Sequence, residues 1–280
     1  MRYRHLLCLV VAIVMFSCKK GKEVIYPPVP LPPPTPQSPS VLLRDIVIER
    51  LPSPYYHFEY NTAGKISFVS FASGLKMYDV VYNGDKIIEM RNNIIIANKD
   101  RLQYRYDNEG RVSAINYADS AGIVYAKLHF TYAGQQLIKS ERERKSASGF
   151  TIEKTLSMSY YADSNLMEIT YHYPATEFNG QLETNWGVRF EQYDDKINID
   201  GFDLQHNEFF DHLILLPGVQ LQKNNPRKGI RTGDGDDYTV DYTYTYNDRN
   251  APLTETEELI YISGPNAGRI FQTRSLFTYY

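Results

Sequence analysis

The feature that most constrains this chain is a short phrase that recurs along it. Each copy has a tyrosine, then Asn, Asp or a small polar residue, then Gly or another polar residue, and finally a branched aliphatic residue. The first five tyrosines are 22, 24, 26 and 29 residues apart, which is the length of two strands and two turns. This spacing predicts one β-hairpin per unit. The clearest copies are 60–66, 82–87, 106–112 and 132–137, and weaker copies start at Tyr161, Tyr193 and Tyr246.

The segments between these phrases alternate with a period of two. In 124–132 the residues Val, Ala, Leu, Phe and Tyr fall on one face, and Lys, His and Thr fall on the other. The segment 238–246 alternates in the same way, and the 24 tyrosines of the chain favour strands over helices. We therefore predict a mainly β fold, an antiparallel hairpin meander of about a dozen strands. A twisted sheet of that size either curls into a barrel or splits into two layers.

The turn residues support this prediction. Asn83 and Gly84 are both able to adopt positive φ, as a type I′ two-residue hairpin requires. Gly64 and Gly110 occupy the place in the longer turns where a left-handed residue closes the loop.

One stretch, 203–216, departs from the alternation. It begins with a capping Asp, has apolar residues three to four positions apart, and is followed by Pro217 and Gly218, so it predicts one short helix. Within it, Glu208 and His212 are four residues apart and would share a helical face, with His206 nearby. These residues are a candidate metal site, and a solvated helix face is the alternative.

The first forty residues predict where the protein is located. Two arginines precede an apolar run, 6–16, that is too short to cross a bilayer as a helix and has the form of a signal peptide. The junction Met15-Phe16-Ser17-Cys18 resembles the lipobox of bacterial lipoproteins, which implies acylation of Cys18. We predict a signal peptide over 1–17, a lipidated proline-rich tether over 18–40 and a single β-meander domain over 41–280. An ordinary signal peptide with an incidental cysteine is the alternative.

Two family resemblances follow from these motifs. The phrase resembles the tyrosine-aspartate repeats of Rhs-type secreted shells, whose unit is matched in full only at 106–111. The whole chain is similar to a group of uncharacterised Gram-negative lipoproteins with a porin-like β-meander, through the Ser17-Cys18 junction, the tether, the tyrosine turns, Asn224-Asn225-Pro226 and the segment 242–247. That resemblance implies a lipid-anchored protein of the cell envelope. Because Lys19 replaces the Asp that retains such proteins at the inner membrane, it also implies the outer membrane.

Motifs that carry chemistry are scarce in this sequence. No nucleophile elbow, zinc-helix motif, phosphate loop or dinucleotide fingerprint occurs, and both cysteines lie in the first twenty residues. We therefore expect no cofactor and name no catalytic residue. The acidic loop with Asp234, Asp236 and Asp237 is a weak candidate for calcium, and a mobile loop is the alternative. His57, His129 and His172 lie in alternating strands, where cross-strand or solvated roles are expected.

The chain has 30 basic and 33 acidic residues, so its field would not hold a nucleic acid. Trp186, in a stretch read as a loop, is a candidate ligand-binding residue, since aromatic rings can stack on sugars. We expect a non-enzymatic envelope lipoprotein that binds a glycan or an envelope protein. The alternatives are an envelope polysaccharide hydrolase with an unidentified carboxylate pair, and a barrel inserted in the membrane.

Overall fold

The computed structural model describes residues 41–93, 100–198, 204–205 and 214–280 of the chain, and the last strand ends beside the first. Eighteen strands follow one another, with a single 3₁₀ turn, Glu177–Asn179, in this part of the chain. The strands are β1 Leu43–Ile48, β2 Tyr56–Tyr60, β3 Ile66–Phe71, β4 Lys76–Asn83, β5 Lys86–Asn92, β6 Arg101–Tyr106, β7 Val112–Ala118, β8 Val124–Ala133, β9 Gln136–Ser146, β10 Gly149–Tyr160, β11 Leu166–Tyr173, β12 Thr184–Glu191, β13 Leu204–Gln205, β14 Ile214–Leu215, β15 Lys228–Gly233, β16 Tyr238–Tyr246, β17 Pro252–Tyr261 and β18 Ile270–Tyr279.

Sixteen of these strands form one closed antiparallel barrel. Strands β1 to β12 are neighbours in chain order, β12 pairs with β15, and β15 to β18 continue the series. Closure comes from β1, which pairs with β2 on one side and with β18 on the other, with Leu43 opposite Tyr279 and Ile46 opposite Phe277. The predicted hairpin meander is confirmed. It has more strands than the dozen expected, and it closes into a barrel rather than splitting into two layers.

The barrel interior is largely apolar and is partly filled by the chain itself. In β8, Ala126, Leu128 and Phe130 are buried on the inner face, as the alternation predicted. Inside the wall lies the segment 214–227, which contributes Leu216 and Leu221 to the same core. Large barrels of 16 to 18 strands typically enclose water, whereas this one is packed with its own chain.

The outer face is charged. Lys127 Nζ lies 3.7 Å from Glu143 Oε2, and Lys139 Nζ lies 3.0 Å from Glu141 Oε2, all on outward positions of β8 and β9. The predicted cross-strand role of histidine is seen at His57, whose Nδ1 is 2.6 Å from Asp45 Oδ1 on the neighbouring strand. A lipid-facing barrel needs an apolar band there. No helix in the described part of the chain is long and apolar enough to cross a membrane.

The helix predicted over 203–216 is wrong at both of its described ends. Leu204–Gln205 and Ile214–Leu215 are strands, paired antiparallel as β13 and β14. The intervening residues, including His206, Glu208 and His212, lie outside the described residues, so the candidate metal site there stays a prediction. At its described end, the apolar residues Ile214, Leu215 and Leu216 are all buried in the core, whichever way they face along the chain.

The prediction of a type I′ turn at Asn83-Gly84 is also wrong. Asn83 pairs with Lys86, so the two central residues are Gly84 and Asp85, and of these only Gly84 has a positive φ, 59°. Positive φ at the first central position alone is the pattern of a type II′ turn. The longer turns form as predicted, with φ of 73° at Gly64 and 81° at Gly110.

Candidate functional site

The two ends of the barrel differ, and the turn phrases lie at one of them. We call this end the repeat rim, formed by the turns β2–β3, β4–β5, β6–β7, β8–β9, β10–β11 and β16–β17. The other end, the variable rim, is formed by the connections β1–β2, β3–β4, β5–β6, β7–β8, β9–β10, β11–β12, β15–β16 and β17–β18.

At the repeat rim, four of the phrase tyrosines and two further tyrosines form what we call tyrosine latches. Each latch tyrosine donates its hydroxyl proton to the backbone carbonyl of the residue that follows the preceding turn, as Tyr132 does to Val112 at 2.8 Å. The other latches are Tyr82 to Ile66, Tyr106 to Ile87, Tyr160 to Leu137, Tyr193 to Leu166 and Tyr279 to Pro252. The phrase therefore serves to join neighbouring hairpins, since the tyrosine of one phrase donates to the carbonyl of the aliphatic residue that ends the phrase before it.

Other residues of the phrase complete each latch. Asp107 Oδ1 accepts from the backbone N–H groups of Glu109 and Arg111, both at 2.9 Å, which closes the turn. The guanidinium of Arg111 lies 4.8 Å from the ring centroid of Tyr132, a cation–π contact. In the fifth unit the latch residue is Tyr160, one position before the expected Tyr161. We conclude that this rim is structural.

Inside the barrel, a cavity of about 350 Å³ lies between the interior segment and the wall made by β1, β2, β12 and β16–β18. Its lining extends from Leu51 and Tyr55 near the variable rim to Pro252 near the repeat rim. The described lining contains two acidic residues, Glu255 and Glu257, and no basic one. The remaining lining residues are Ile46, Ile48, Tyr56, Phe190, Asn198, Gln222, Asn225, Pro226, Tyr242, Tyr244, Ser275 and Phe277.

The interior segment is fixed against this wall by a polar network centred on Asp194. Asp194 Oδ1 accepts from the backbone N–H of Asn225 at 3.1 Å, and the hydroxyl of Tyr246 donates to Asp194 Oδ2. The pKa of Tyr246 is raised, first by burial and then by its hydrogen bond to this carboxylate. Arg227 lies 3.5 Å from the same Oδ2 atom. The cavity floor is therefore held in place by paired groups.

Above the cavity, at the mouth of the variable rim, six neighbouring strands each direct one side chain inward. We call this series the aromatic arc: Tyr171, Trp186, Arg231, Tyr238, Tyr261 and Phe271, on β11, β12, β15, β16, β17 and β18. Strand register places them on the inner face, because Tyr261 pairs with Tyr238 and Phe271 with Leu259, in line with the cavity residues Glu257 and Phe277.

Successive members of the aromatic arc touch. The rings of Tyr171 and Trp186 are stacked with centroids 3.6 Å apart, and the guanidinium of Arg231 lies 5.0 Å from the Trp186 ring and 5.8 Å from that of Tyr238. Tyr238 and Tyr261 meet edge to face at 5.7 Å, as do Tyr261 and Phe271 at 5.8 Å. At neighbouring-strand spacings of about 4.8 Å, the arc spans roughly 24 Å of the mouth.

The predicted site residues fall on and around this arc. Trp186 lies within strand β12 instead of in the expected loop, and its ring is stacked on Tyr171 and covered by Arg231. The acidic residues of the β15–β16 loop have protein partners: Asp234 Oδ2 accepts from the backbone N–H of Asn185 at 2.6 Å, and Asp236 Oδ2 from Asn266 at 2.8 Å. Among the described residues, no three His, Cys, Asp or Glu side chains are grouped as metal ligands.

Cys18 lies outside the described residues, so its acylation stays a prediction. Sequence reasoning missed the arc, apart from Trp186, because its members come from strands as far apart as β11 and β18. Only the closed sheet makes them neighbours. The latch at Tyr279 was also missed, since no turn phrase follows it.

The fold defines a class, a closed antiparallel barrel filled by its own chain. No protein-family model and no curated protein matches the chain. Among solved structures, the chain is similar to a porin-like protein from Bacteroides uniformis, with a TM-score of 0.55 and 14% identity over 86% of this chain and 95% of that one. The predicted porin-like fold is thereby confirmed, at the level of fold alone.

Two larger assemblies also match, more weakly. They are the Photorhabdus luminescens Tc holotoxin pore, with a TM-score of 0.32 and 10% identity, and a TcdB2-TccC3 structure, with a TM-score of 0.23 and 9% identity. The matches cover 75% and 78% of this chain but only 13% and 15% of those chains. No inference is drawn from them, and the resemblance to Rhs-type repeats stays a prediction.

Proposed function

We propose that this protein is a lipid-anchored binding module of the cell envelope, tethered through Cys18, whose barrel binds a glycan or an envelope protein without catalysing a reaction. The observation that carries the proposal is the filled barrel with a charged outer wall. Over the described residues, the segment 214–227 occupies space that an empty barrel of 16 strands would leave for water, which favours binding over the conduction of solutes. The cavity and its mouth at the variable rim then offer the concave, aromatic-lined surface typical of ligand sites.

The charged wall also favours the tether over insertion. Arg or Lys facing lipid at the middle of a bilayer costs about 2 to 4 kcal/mol in a β-barrel. The outer face carries many such residues, among them Lys127, Lys139, Arg189 and Arg91. Acyl chains on Cys18 would instead hold the domain at the membrane surface, at about 0.8 kcal/mol per buried methylene.

The anchor is tested in a Gram-negative host by labelling with an alkyne-bearing fatty acid and comparing the native chain with Cys18→Ala. We expect label on the native chain, none on the variant, and release of the variant from membranes at alkaline pH. Cys8→Ala is the matched control, because it removes the other cysteine while leaving the junction intact. If Cys18→Ala protein stays in the membrane fraction, the tether proposal is wrong.

Polysaccharide hydrolysis is the second candidate, and one observation favours it. Glu255 and Glu257 both line the cavity, and Tyr244 donates to Glu255 Oε1 at 3.3 Å. Glycosidases need carboxyl groups on either side of the scissile bond. These two project from the same face of one strand, which makes binding the better supported function. Release of reducing sugar from envelope polysaccharide that is abolished in Glu255→Gln or Glu257→Gln would reverse this preference.

A further inference from the structure

The cavity inside the barrel has two acidic side chains on one strand of its wall. Glu255 and Glu257 are two residues apart on β17, so their side chains project from the same face, and both line the cavity. The strand register places Glu255 between Tyr244 on β16 and Ser275 on β18. Residues directly opposite each other in antiparallel strands have Cβ atoms about 4.5 to 5.5 Å apart. Two carboxylates and a hydroxyl group therefore lie side by side on this wall.

The hydroxyl group of Ser275 faces the cavity without a protein partner. Ser275 is only 9% exposed and lines the cavity, and among the described residues its hydroxyl makes no hydrogen bond. A polar group removed from bulk water normally has a partner, so this one indicates that the cavity holds a ligand group. Glu255 accepts from the hydroxyl of Tyr244 at 3.3 Å, and because a carboxylate has about four acceptor positions, this bond is compatible with a second one from a ligand.

The charges around the cavity favour a cation. The described lining contains these two acidic residues and no basic one. Arg227 lies 5.5 Å from the ring centroid of Tyr244, but it is also 3.5 Å from Asp194 Oδ2 and is balanced by that carboxylate. Other bases that face the interior pair with, or lie over, residues outside the lining; they are Lys76, Arg142, Arg144, Lys154 and Arg231. The local charge is therefore negative, which attracts cations and repels anions.

The rest of the lining favours a cation with an organic body. Arg227 shows that a ring of this wall accepts a cation, and cations are attracted to the faces of aromatic rings. Calcium needs six to eight oxygen ligands, yet no three His, Cys, Asp or Glu side chains are grouped in the described part of the chain. The volume of about 350 Å³ lies within the range of small-molecule sites. The aromatic residues of the lining are Tyr55, Tyr56, Phe190, Tyr242, Tyr244 and Phe277.

We infer that the cavity binds a small organic cation, a primary amine or a guanidinium group carried on an apolar body. An ammonium ion has three N–H donors, and it donates to Glu255, Glu257 and Ser275 while its body lies against Tyr242. The ligand enters from the variable rim past Leu51, which is 45% exposed. This inference goes beyond the proposed function, because the site depends neither on the lipid anchor nor on a glycan. Two sources supply the same chemistry, a free amine and a Lys or Arg side chain of an envelope protein.

The test is calorimetric titration of the purified full-length chain with hexylamine, with hexanol and hexanoate as neutral and anionic controls of similar length. We expect hexylamine to bind at least about 10-fold more tightly than either control, because only hexylamine carries a cation. Two capped peptides, Ala-Lys-Ala and Ala-norleucine-Ala, distinguish the sources. Tighter binding of the lysine peptide than of hexylamine assigns the cation to a protein partner, and the reverse order assigns it to a free amine. Calcium chloride alone tests a bare metal ion.

Variants locate the site. Glu255→Gln and Glu257→Gln keep the size of the side chain and remove its charge, so each should weaken hexylamine binding about 10-fold or more. Ser275→Ala removes one neutral acceptor and should weaken binding about 2- to 10-fold. Glu258→Gln is the matched control, because it makes the same change in net charge on the same strand but on the outer face, opposite Asp241, and should leave the affinity unchanged. Urea unfolding confirms that each variant is folded.

The outcomes separate this inference from the proposed function. Equal affinity for hexylamine and hexanol overturns the cationic class of ligand, and binding of calcium in place of the amine overturns the organic class. Hexylamine binding that survives both Glu255→Gln and Glu257→Gln overturns the cavity as the site. If neither the amine nor the lysine peptide binds, the inference is wrong, while the lipid anchor and the binding of a glycan are decided by their own tests.

Discussion

The two rims of the barrel belong to the same sheet but use their aromatic side chains differently. At the repeat rim, tyrosine rings lie against the neighbouring hairpin, and their hydroxyl groups donate hydrogen bonds in latches such as Tyr132 to Val112. At the variable rim, rings face the mouth, and exposed aliphatic residues occur in most connections, namely Leu51, Leu75, Ile123, Leu182 and Ile262. One rim satisfies its own groups, and the other leaves apolar surface exposed to solvent.

This difference indicates at which rim of the barrel a functional site is to be sought. A repeated motif in a sequence attracts attention, yet here the repeat has a complete structural explanation in terms of turns, latches and cation–π contacts. The irregular end, which carries no recognisable motif, has the apolar exposure that marks interaction sites. Substitutions at the repeat rim should therefore affect stability, and those at the variable rim should affect binding.

The largest effect on the free energy of unfolding is expected when an aromatic residue at each rim is replaced by alanine. Tyr132→Ala removes a half-buried ring, its latch and its cation–π partner, so we expect a loss of roughly 2 to 3 kcal/mol in the free energy of unfolding. Tyr261→Ala, on the mouth side, removes a partly exposed ring with two edge-to-face contacts and no latch, and should cost less, about 1 kcal/mol. Urea unfolding followed by circular dichroism measures both. Equal losses at the two rims would remove the distinction between them.

A smaller effect is expected from the turn glycines. Gly110 has a φ of 81°, and a side chain there meets no neighbour within 4 Å, so the cost of Gly110→Ala is that of the backbone conformation alone, about 1 to 2 kcal/mol. Gly110→Asn should cost less, because Asn tolerates this region, as Asn250 does with a φ of 61° in the β16–β17 turn. A thermal melt of the three proteins should rank them Gly, Asn, Ala.

The smallest effect is expected from removing one hydroxyl. Tyr132→Phe keeps the ring and loses the latch hydrogen bond, which should cost about 1 kcal/mol at neutral pH. The pKa of Tyr132 is raised, first by burial and then by the nearby Asp107, above the unfolded value of about 10. The folded state therefore binds this proton more tightly than the unfolded state.

It follows that the contribution of the latch is complete below pH about 10 and decreases as the pH rises beyond that value. The pH dependence of urea unfolding between neutral and strongly alkaline conditions should thus be steeper for the native chain than for Tyr132→Phe. Parallel slopes for the native chain and Tyr132→Phe would contradict the assignment.

Much of the architecture could be predicted from local pattern. The alternation in 124–132 and 238–246 predicted the inner faces of β8 and β16, and Gly64 and Gly110 marked the β2–β3 and β6–β7 turns, because strand period and backbone φ are set within a few residues. The helix over 203–216 failed at its described ends for the same reason. Its described apolar residues, 214–216, are consecutive and all buried in the core, and local spacing cannot distinguish such burial from one buried helical face.

The sequence by itself determined the hairpins, their turns and the class of fold, since each depends on residues that are close together in the chain. Only the tertiary structure decided three further features: closure of the barrel by β1 and β18, the interior segment that fills it, and the aromatic arc at its mouth. Each joins residues that are far apart in sequence. Their contacts depend on the curvature and register of the whole sheet, which no single segment encodes.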